Sequence, residues 1–168
     1  MNADELRATQ SPLKSRYRDE PQAARITLRA HGALDDAHIA CKVETGRALA
    51  VAGLHPATGG SGAELCSGDM LLEALVACAG VTLKAVATSM GIALRSGEVS
   101  AEGDLDFCGT LGVDKQAPVG FTDIRLNFAL DTDAAQDQLD TLLKLTERYC
   151  VVLQTLKRPP TLTAAIAR

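Results

Sequence analysis

The sequence predicts an α+β fold with an antiparallel sheet and two long helices. Three observations carry that prediction. Segments of alternating apolar and polar residues open the chain, a long apolar run from Met70 to Ala87 follows them, and two further alternating segments lead into a second, amphipathic helix. The resulting order is βββ-α-ββ-α-β, with strands and helices in blocks rather than in strict alternation. There is no internal repeat and no low-complexity segment.

A chain of 168 residues is the size of one domain with an arm. Residues 1–22 read as a polar, charged N-terminal arm, interrupted by Pro12 and closed by Pro21, with a short helix at most; residues 23–168 read as the domain. Arg25-Ile-Thr-Leu-Arg-Ala-His31 alternates as a half-exposed strand does. Ala37–Val43 and Arg47–Ala52 are further strands, joined by turn-formers at Asp35-Asp36 and Thr45-Gly46. Gly53–Gly62 is a glycine-rich loop.

Ser67 is a candidate N-cap for the first long helix, Asp69 faces the positive end of its dipole, and Gly91 stops it. Glu98–Phe107 and Phe121–Leu130 are strands, the second alternating cleanly through Ile124, Leu126, Phe128 and Leu130. Asp131-Thr-Asp133 caps a second helix, running from about Ala134 to Cys150 or beyond with Leu139, Leu142 and Leu143 on one face. Pro159-Pro160 ends it, and Thr161–Ile166 is a candidate last strand.

Helical periodicity puts Cys78 on a stripe with Leu71, Leu75, Val81, Thr82 and Ala85, opposite Glu73, Ala77, Gly80 and Lys84. A helix so apolar all round needs covering on every face, more than one sheet and one other helix supply. An oligomer whose subunits enclose each other's helices is therefore expected, and a monomeric mass by light scattering would exclude it. The run is long enough to span a bilayer, but Glu73, Lys84 and its many alanines suit a buried core helix better, so no membrane partner is expected.

A net charge of −4, no tryptophan, two tyrosines and three phenylalanines argue against nucleic acid as a partner. The N-terminus lacks a basic segment followed by an apolar one, so a signal peptide is not expected. Five cysteines (Cys41, Cys66, Cys78, Cys108 and Cys150), odd in number and irregularly spaced, suit a reducing cytoplasm rather than a disulfide framework. His31, His38 and His55 show no ligand spacing, and Gly59-Gly60-Ser-Gly62 lacks the Lys-Ser/Thr ending of a phosphate loop. Neither a metal nor a cofactor is expected.

A buried helical cysteine is usually a small hydrophobe. Two of them, Cys78 and Cys150, each in its own helix, are alternatively a redox pair. Cys41 and Cys108 fall in expected strands and read as inert. Cys66, just outside the helix start, is a candidate dipole-activated thiol or a competing partner for Cys78. Glu147, one turn before Cys150, reads as solvated or paired with Arg148 or Lys144.

Ser67-Gly-Asp-Met-Leu-Leu-Glu-Ala-Leu-Val-Ala-Cys78 resembles the helix signature of the OsmC/Ohr family, the osmotically induced and organic-hydroperoxide-resistance proteins, which read Pro-Glu-x-Leu-Leu-x-Ala-Leu-x-Ala-Cys. Leu142-Leu-Lys-Leu-Thr-Glu-Arg-Tyr-Cys150 is similar to that family's second helix, which ends in Cys-Pro. The resemblance runs from Ala24 to the C-terminus. It implies an antiparallel sheet wrapped around two long helices in an intertwined homodimer, and a thiol peroxidase acting on organic (alkyl or lipid) hydroperoxides. Cys78 would be the peroxidatic cysteine, Cys150 the resolving one, and a dithiol, lipoyl-type or other, the reductant.

The chain departs from that pattern in three places. Gly68, with Asp69 beside it, stands where the family has a glutamate that helps hold an arginine over the thiolate. Such an arginine is needed because burial raises a thiol pKa whereas a nearby cation lowers it. Arg47 is the candidate, with Arg29 a rival; Asp69 joins Cys78, Cys150 and Arg47 as a site candidate, although a helix-start charge describes it as well. Val151 replaces the proline, and Gln154 replaces a polar residue that is often serine or histidine. The missing glutamate and proline sustain the alternative of a non-catalytic dimer that binds an apolar small molecule at the subunit interface.

Overall fold

The computed structural model describes residues 2–19, 31–34, 40–44 and 49–167. Most of the first expected strand lies outside them, as do Arg29, His38, Arg47 and the turns at Asp35-Asp36 and Thr45-Gly46.

Helix α1 (Ala3–Asp19) is longer than the short helix expected of the arm, and it runs through Pro12. A reciprocal cap starts it. Asn2 Oδ1 accepts from the Glu5 N–H and Glu5 Oε2 accepts from the Asn2 N–H, both at 2.9 Å. Asp4 and Glu5 then sit in the first turn, where the dipole favours negative charge.

Strands β1 (His31–Leu34), β2 (Ala40–Glu44) and β3 (Leu49–Gly53) form an antiparallel meander, with His31 opposite Glu44 and Ala40 opposite Gly53. A two-residue strand β4 (Leu65–Cys66) adds to β3 in parallel, which the alternation pattern does not foresee. Between them, Pro56–Thr58 forms a 3-10 turn, with His55 Nδ1 accepting from the Ala57 N–H at 3.0 Å.

Helix α2 (Ser67–Met90) takes the expected bounds. Gly91 has φ of 70°, and the Gly91 N–H donates to Thr88 O and the Ile92 N–H to Ala87 O, so the helix closes in a Schellman turn. By length and composition α2 could cross a membrane. Its Leu75, Ala79, Leu83 and Ala87 nonetheless form a buried stripe.

Strands β5 (Ser96–Asp104) and β6 (Asp123–Asp131) pair as a second sheet. The strand expected to reach Phe107 stops earlier, because Asp106 Oδ1 accepts from the Cys108 N–H at 2.9 Å and starts the one-turn helix α3 (Phe107–Thr110). Cys108 therefore lies in a helical turn rather than a strand. The expected second long helix is two, α4 (Gln136–Tyr149) and α5 (Val151–Lys157), with Cys150 extended between them at φ −70° and ψ 108°. Helix α4 also starts later than the Asp131–Asp133 signal suggests, with the Ala135 N–H donating to Gln138 Oε1 at 3.1 Å. Residues 161–166 form no strand among the described residues; Leu162 and Ile166 are exposed.

The chain divides into two units: Met1–Arg7, Ala74–Ser100 and Asn127–Arg168 in the first, Ala8–Glu73 and Ala101–Leu126 in the second. In the first, Leu83, Ala87, Ile92 and Leu142 form the core, packed by Val86, Met90, Leu94, Phe128, Leu130, Ala134 and Leu139. Leu142→Ala deletes a side chain that is 1% exposed and is expected to cost about 2–5 kcal/mol, read as a lower denaturant midpoint at unchanged slope. In the second unit Phe121 lies over Gly103, where an added Cβ would meet the ring at 2.5 Å. Arg125 there pairs with Asp104, Asp123 and Glu102, holding the Asp104 carboxyl below the usual range mainly through its hydrogen bond to the guanidinium.

Candidate active site

Two elements supply the site in the first unit. Helix α2 carries Cys78 one position before Ala79 of its buried stripe, leaving the thiol partly buried. Thr82, one turn on, donates its hydroxyl to the Cys78 carbonyl at 2.8 Å. The second element is the bend between α4 and α5. At its apex Cys150 is fully buried.

The bend is defined by the backbone ladder. The Cys150 N–H closes the last bond of α4, to Thr146 O at 2.9 Å, and the Gln154 N–H opens the ladder of α5, to Cys150 O at 2.9 Å. The amides between them belong to the first turn of a helix and have no i−4 partner within it. Two side chains fix the bend from outside: Gln154 Nε2 donates to Glu147 O at 2.7 Å, and Lys157 pairs with Glu147 Oε2 at 3.0 Å. Glu147 is thus paired with Lys157, not with its helix neighbours Lys144 or Arg148, and Gln154 ties α5 back to α4.

Cys78 and Cys150, far apart in sequence, are brought within interacting distance as free thiols. Their surroundings differ in sign. Burial alone pushes the Cys78 thiol up, but the backbone N–H of Val152, the Cys150 thiol and the backbone N–H of Val151 together hold it below the ordinary value, because each favours the thiolate. Cys150 is pushed up, first by burial and then by the neighbouring Cys78 sulfur, against the opposing amides of Leu153 and Val152. The pair is therefore asymmetric, with Cys78 the easier of the two thiols to ionise.

Val151 and Val152 were not foreseen as contributors. No proline or glycine marks the bend, and amides carry no side-chain signal. Thr82, by contrast, shares the Cys78 stripe already in the sequence.

Asp69 lies nine residues before Cys78, in the first turn of α2. It lines a cavity of about 330 Å³ in the second unit with His55, Cys66, Gly68, Phe107 and Phe121. His55 stacks on Phe107 there, ring centroids 4.9 Å apart. Gly68 matters to that wall, since an added Cβ would touch Phe121, Cys66 Sγ and Leu105 at 3.5–3.6 Å. Cys108 is exposed, and the Asp106 carboxylate beside it pushes its thiol up, which disfavours reactivity. Among the described residues no three His, Cys, Asp or Glu side chains are grouped to hold a metal ion.

A family model for OsmC-like proteins matches residues 60–165, well over half of the chain. An OsmC-like protein from Mycoplasma pneumoniae superposes with a TM-score of 0.65 at 14% identity, covering 80% of this chain and 89% of that one. An organic hydroperoxide resistance protein from Elizabethkingia anophelis gives 0.63 at 14% identity, with 81% and 91% covered. For an organic hydroperoxide resistance protein OsmC from Legionella pneumophila the values are 0.62, 14%, 80% and 93%. A comparison with curated proteins finds no match. At these identities the superpositions speak for the fold, and the sequence model for descent: the chain belongs to the family of OsmC-like proteins.

Proposed function

We propose that the protein is a thiol-dependent peroxidase that reduces organic hydroperoxides through Cys78 and Cys150. The observation that carries this reading is the meeting of a thiol whose pKa is lowered with a second whose pKa is raised. The Cys78 thiolate attacks the terminal oxygen of a hydroperoxide ROOH. The O–O bond breaks, RO⁻ leaves and takes up a proton as ROH, and Cys78 becomes a sulfenic acid. The Cys150 sulfur then attacks the Cys78 sulfur, water leaves with the Cys150 proton, and a Cys78–Cys150 disulfide forms. A dithiol of lipoyl or similar type restores both thiols and is itself oxidised to a disulfide.

Membership of the OsmC-like family supports this reading, as do relatives described as organic hydroperoxide resistance proteins. The working form is a homodimer. Val81 is 74% and Val151 68% exposed in the single chain, and Leu143 and Tyr149 are also open, an apolar surface that a second copy would cover. The roles given to Arg47 and Asp69, the 1–22 arm and a cytoplasmic location are parts of the same proposal.

The test is consumption of cumene hydroperoxide by purified protein supplied with dihydrolipoamide. Multiple turnovers per subunit, well above the rate of the dithiol alone, are expected. A rate equal to the dithiol alone, with both thiols still reduced, would replace the enzyme by the apolar-ligand binder.

A further inference from the structure

The hydroxyl of Thr146 is unlike those of other helical threonines. Thr82, Thr88, Thr141 and Thr155 each donate to the carbonyl four residues earlier, at 2.7–2.9 Å. Thr146 is 1% exposed, and its Oγ1 has no hydrogen-bond partner among the described residues while both thiols are free. A buried hydroxyl left unpaired weakens a fold, so its presence asks for a chemical reason.

Its position supplies one. Leu142, Thr146 and Cys150, spaced four apart, are the fully buried residues of α4 and its C-cap, so Thr146 lies one turn from Cys150 on the same face. The φ of Cys150, −70°, is helical, so its Cβ keeps the lean of a helical side chain toward the preceding turn. Leu142 clusters with Leu83 and Ala87 of α2, and Cys150 meets Cys78. The two helices therefore run antiparallel along this seam, with Thr146 opposite the stretch from Cys78 to Leu83, where Ala79 is fully buried.

The two sulfurs are not equally reachable, since Cys78 is partly buried and Cys150 fully so. A dithiol that opens a Cys78–Cys150 disulfide therefore attacks the Cys78 sulfur. Its thiolate forms a new S–S bond there, the old bond breaks, and the electron pair leaves on Cys150 as a buried thiolate. The second thiol of the reductant then loses its proton, attacks the reductant sulfur in the mixed disulfide, and displaces Cys78. The reductant departs as a disulfide, and the two protons it gives up go to Cys150 and to Cys78 or solvent.

We propose that the Thr146 hydroxyl receives this leaving group: it donates to the Cys150 sulfur as that sulfur becomes a thiolate, and so governs how fast a dithiol regenerates the protein. The inference rests on the reading of Cys78 and Cys150 as a redox pair. A thiol sulfur is a weak acceptor and a thiolate a strong one, so a donor unpaired in the reduced protein acts where charge develops. Burial and the Cys78 sulfur raise the Cys150 thiol, which makes it a poor leaving group without such a donor.

The test opens a disulfide made without peroxide. Diamide oxidises the reduced protein, peptide mass spectrometry identifies the Cys78–Cys150 bond, and excess dihydrolipoamide opens it in a single turnover, with acid quench and alkylation counting the freed thiols. Thr146→Val keeps the shape and removes the hydroxyl, whereas Thr146→Ser keeps the hydroxyl. The valine variant is expected to open about tenfold more slowly or worse, for loss of a hydrogen bond to a charged group, and the serine variant to stay within about twofold of the parent. Reduced Thr146→Val should at the same time show a raised denaturant midpoint at unchanged slope, because a methyl replaces an unpaired buried hydroxyl. A parental opening rate in the valine variant would overturn the proposal, as would a serine variant as slow as the valine one. Slow opening with a lowered midpoint would assign the effect to packing and also count against it, and so would failure of diamide to join Cys78 to Cys150. No peroxide enters, so inactivity toward cumene hydroperoxide leaves this test intact, and a parental rate in the valine variant leaves the peroxidase reading intact.

Discussion

Cys78→Ser is expected to reduce cumene hydroperoxide turnover to the protein-free background while leaving the fold in place. Serine is nearly isosteric with cysteine, and position 78 is only partly buried, so the added polarity is tolerated on α2. The chemistry is not. A hydroxyl near neutral pH is un-ionised, and its oxygen cannot accept an oxygen atom from a peroxide as sulfur does. Circular dichroism and thermal unfolding should match the parent, which separates a chemical loss from a structural one. Retained turnover in this variant would move the reactive thiol elsewhere, with Cys66 the next to examine.

Cys150→Ser is expected to have a different and equally large effect. The first oxidation of Cys78 proceeds, since the Val151 and Val152 amides that favour its thiolate remain. Resolution does not. Without added small thiol, each subunit should consume about one equivalent of hydroperoxide and stop, leaving a sulfenic acid that dimedone traps; excess peroxide should drive it to sulfinic acid. The fold should survive despite complete burial of Cys150, because this residue precedes α5 and faces its first amides, where a serine oxygen is a favoured cap. Sustained turnover in this variant without added thiol would show that another group resolves the sulfenic acid.

How much of this is legible in the sequence depends on whether the signal is local. The bounds of α2 are local, a polar start at Ser67 and Asp69 and a stop at Gly91, and both are where the pattern puts them. The alternation of β6 is local too, and its burial alternates along the strand. By contrast, the bend at Cys150 has no breaker residue. Leu142 through Leu156 reads as one helix, and only tertiary packing splits it. The cap of α3 by Asp106 competes with a strand pattern and wins at one side-chain hydrogen bond. The arm illustrates the opposite error. Pro12 suggests interruption, but the Asn2–Glu5 cap starts a helix that the proline does not end. The strand expected at 161–166 shows why strands are harder to place than helices, since their hydrogen bonds need a partner that the segment itself does not specify.

For the site, periodicity puts Cys78 on an apolar stripe with Leu75 and Val81, which by itself describes a small core hydrophobe as well as a nucleophile; the structure instead sets it beside the buried stripe, with Val81 exposed. The residues raise Cys150 as a candidate partner for Cys78, and resemblance to a family is what favours that reading over two inert core cysteines. The main-chain donors to Cys78 were not legible at all. An arginine was the expected source of thiolate stabilisation, yet Arg47 lies outside the described residues, and the groups that lower Cys78 within them are backbone amides, a second thiol and the Thr82 hydroxyl.

The most direct measurement is disulfide mapping after one equivalent of cumene hydroperoxide is added to the fully reduced protein. Mass spectrometry of peptides digested without reduction should find Cys78 joined to Cys150 in most subunits, a linkage that is absent in Cys78→Ser and reversed by dithiol. Unoxidised thiols at both positions after peroxide exposure, or a disulfide that pairs Cys78 with Cys66 instead, would contradict it.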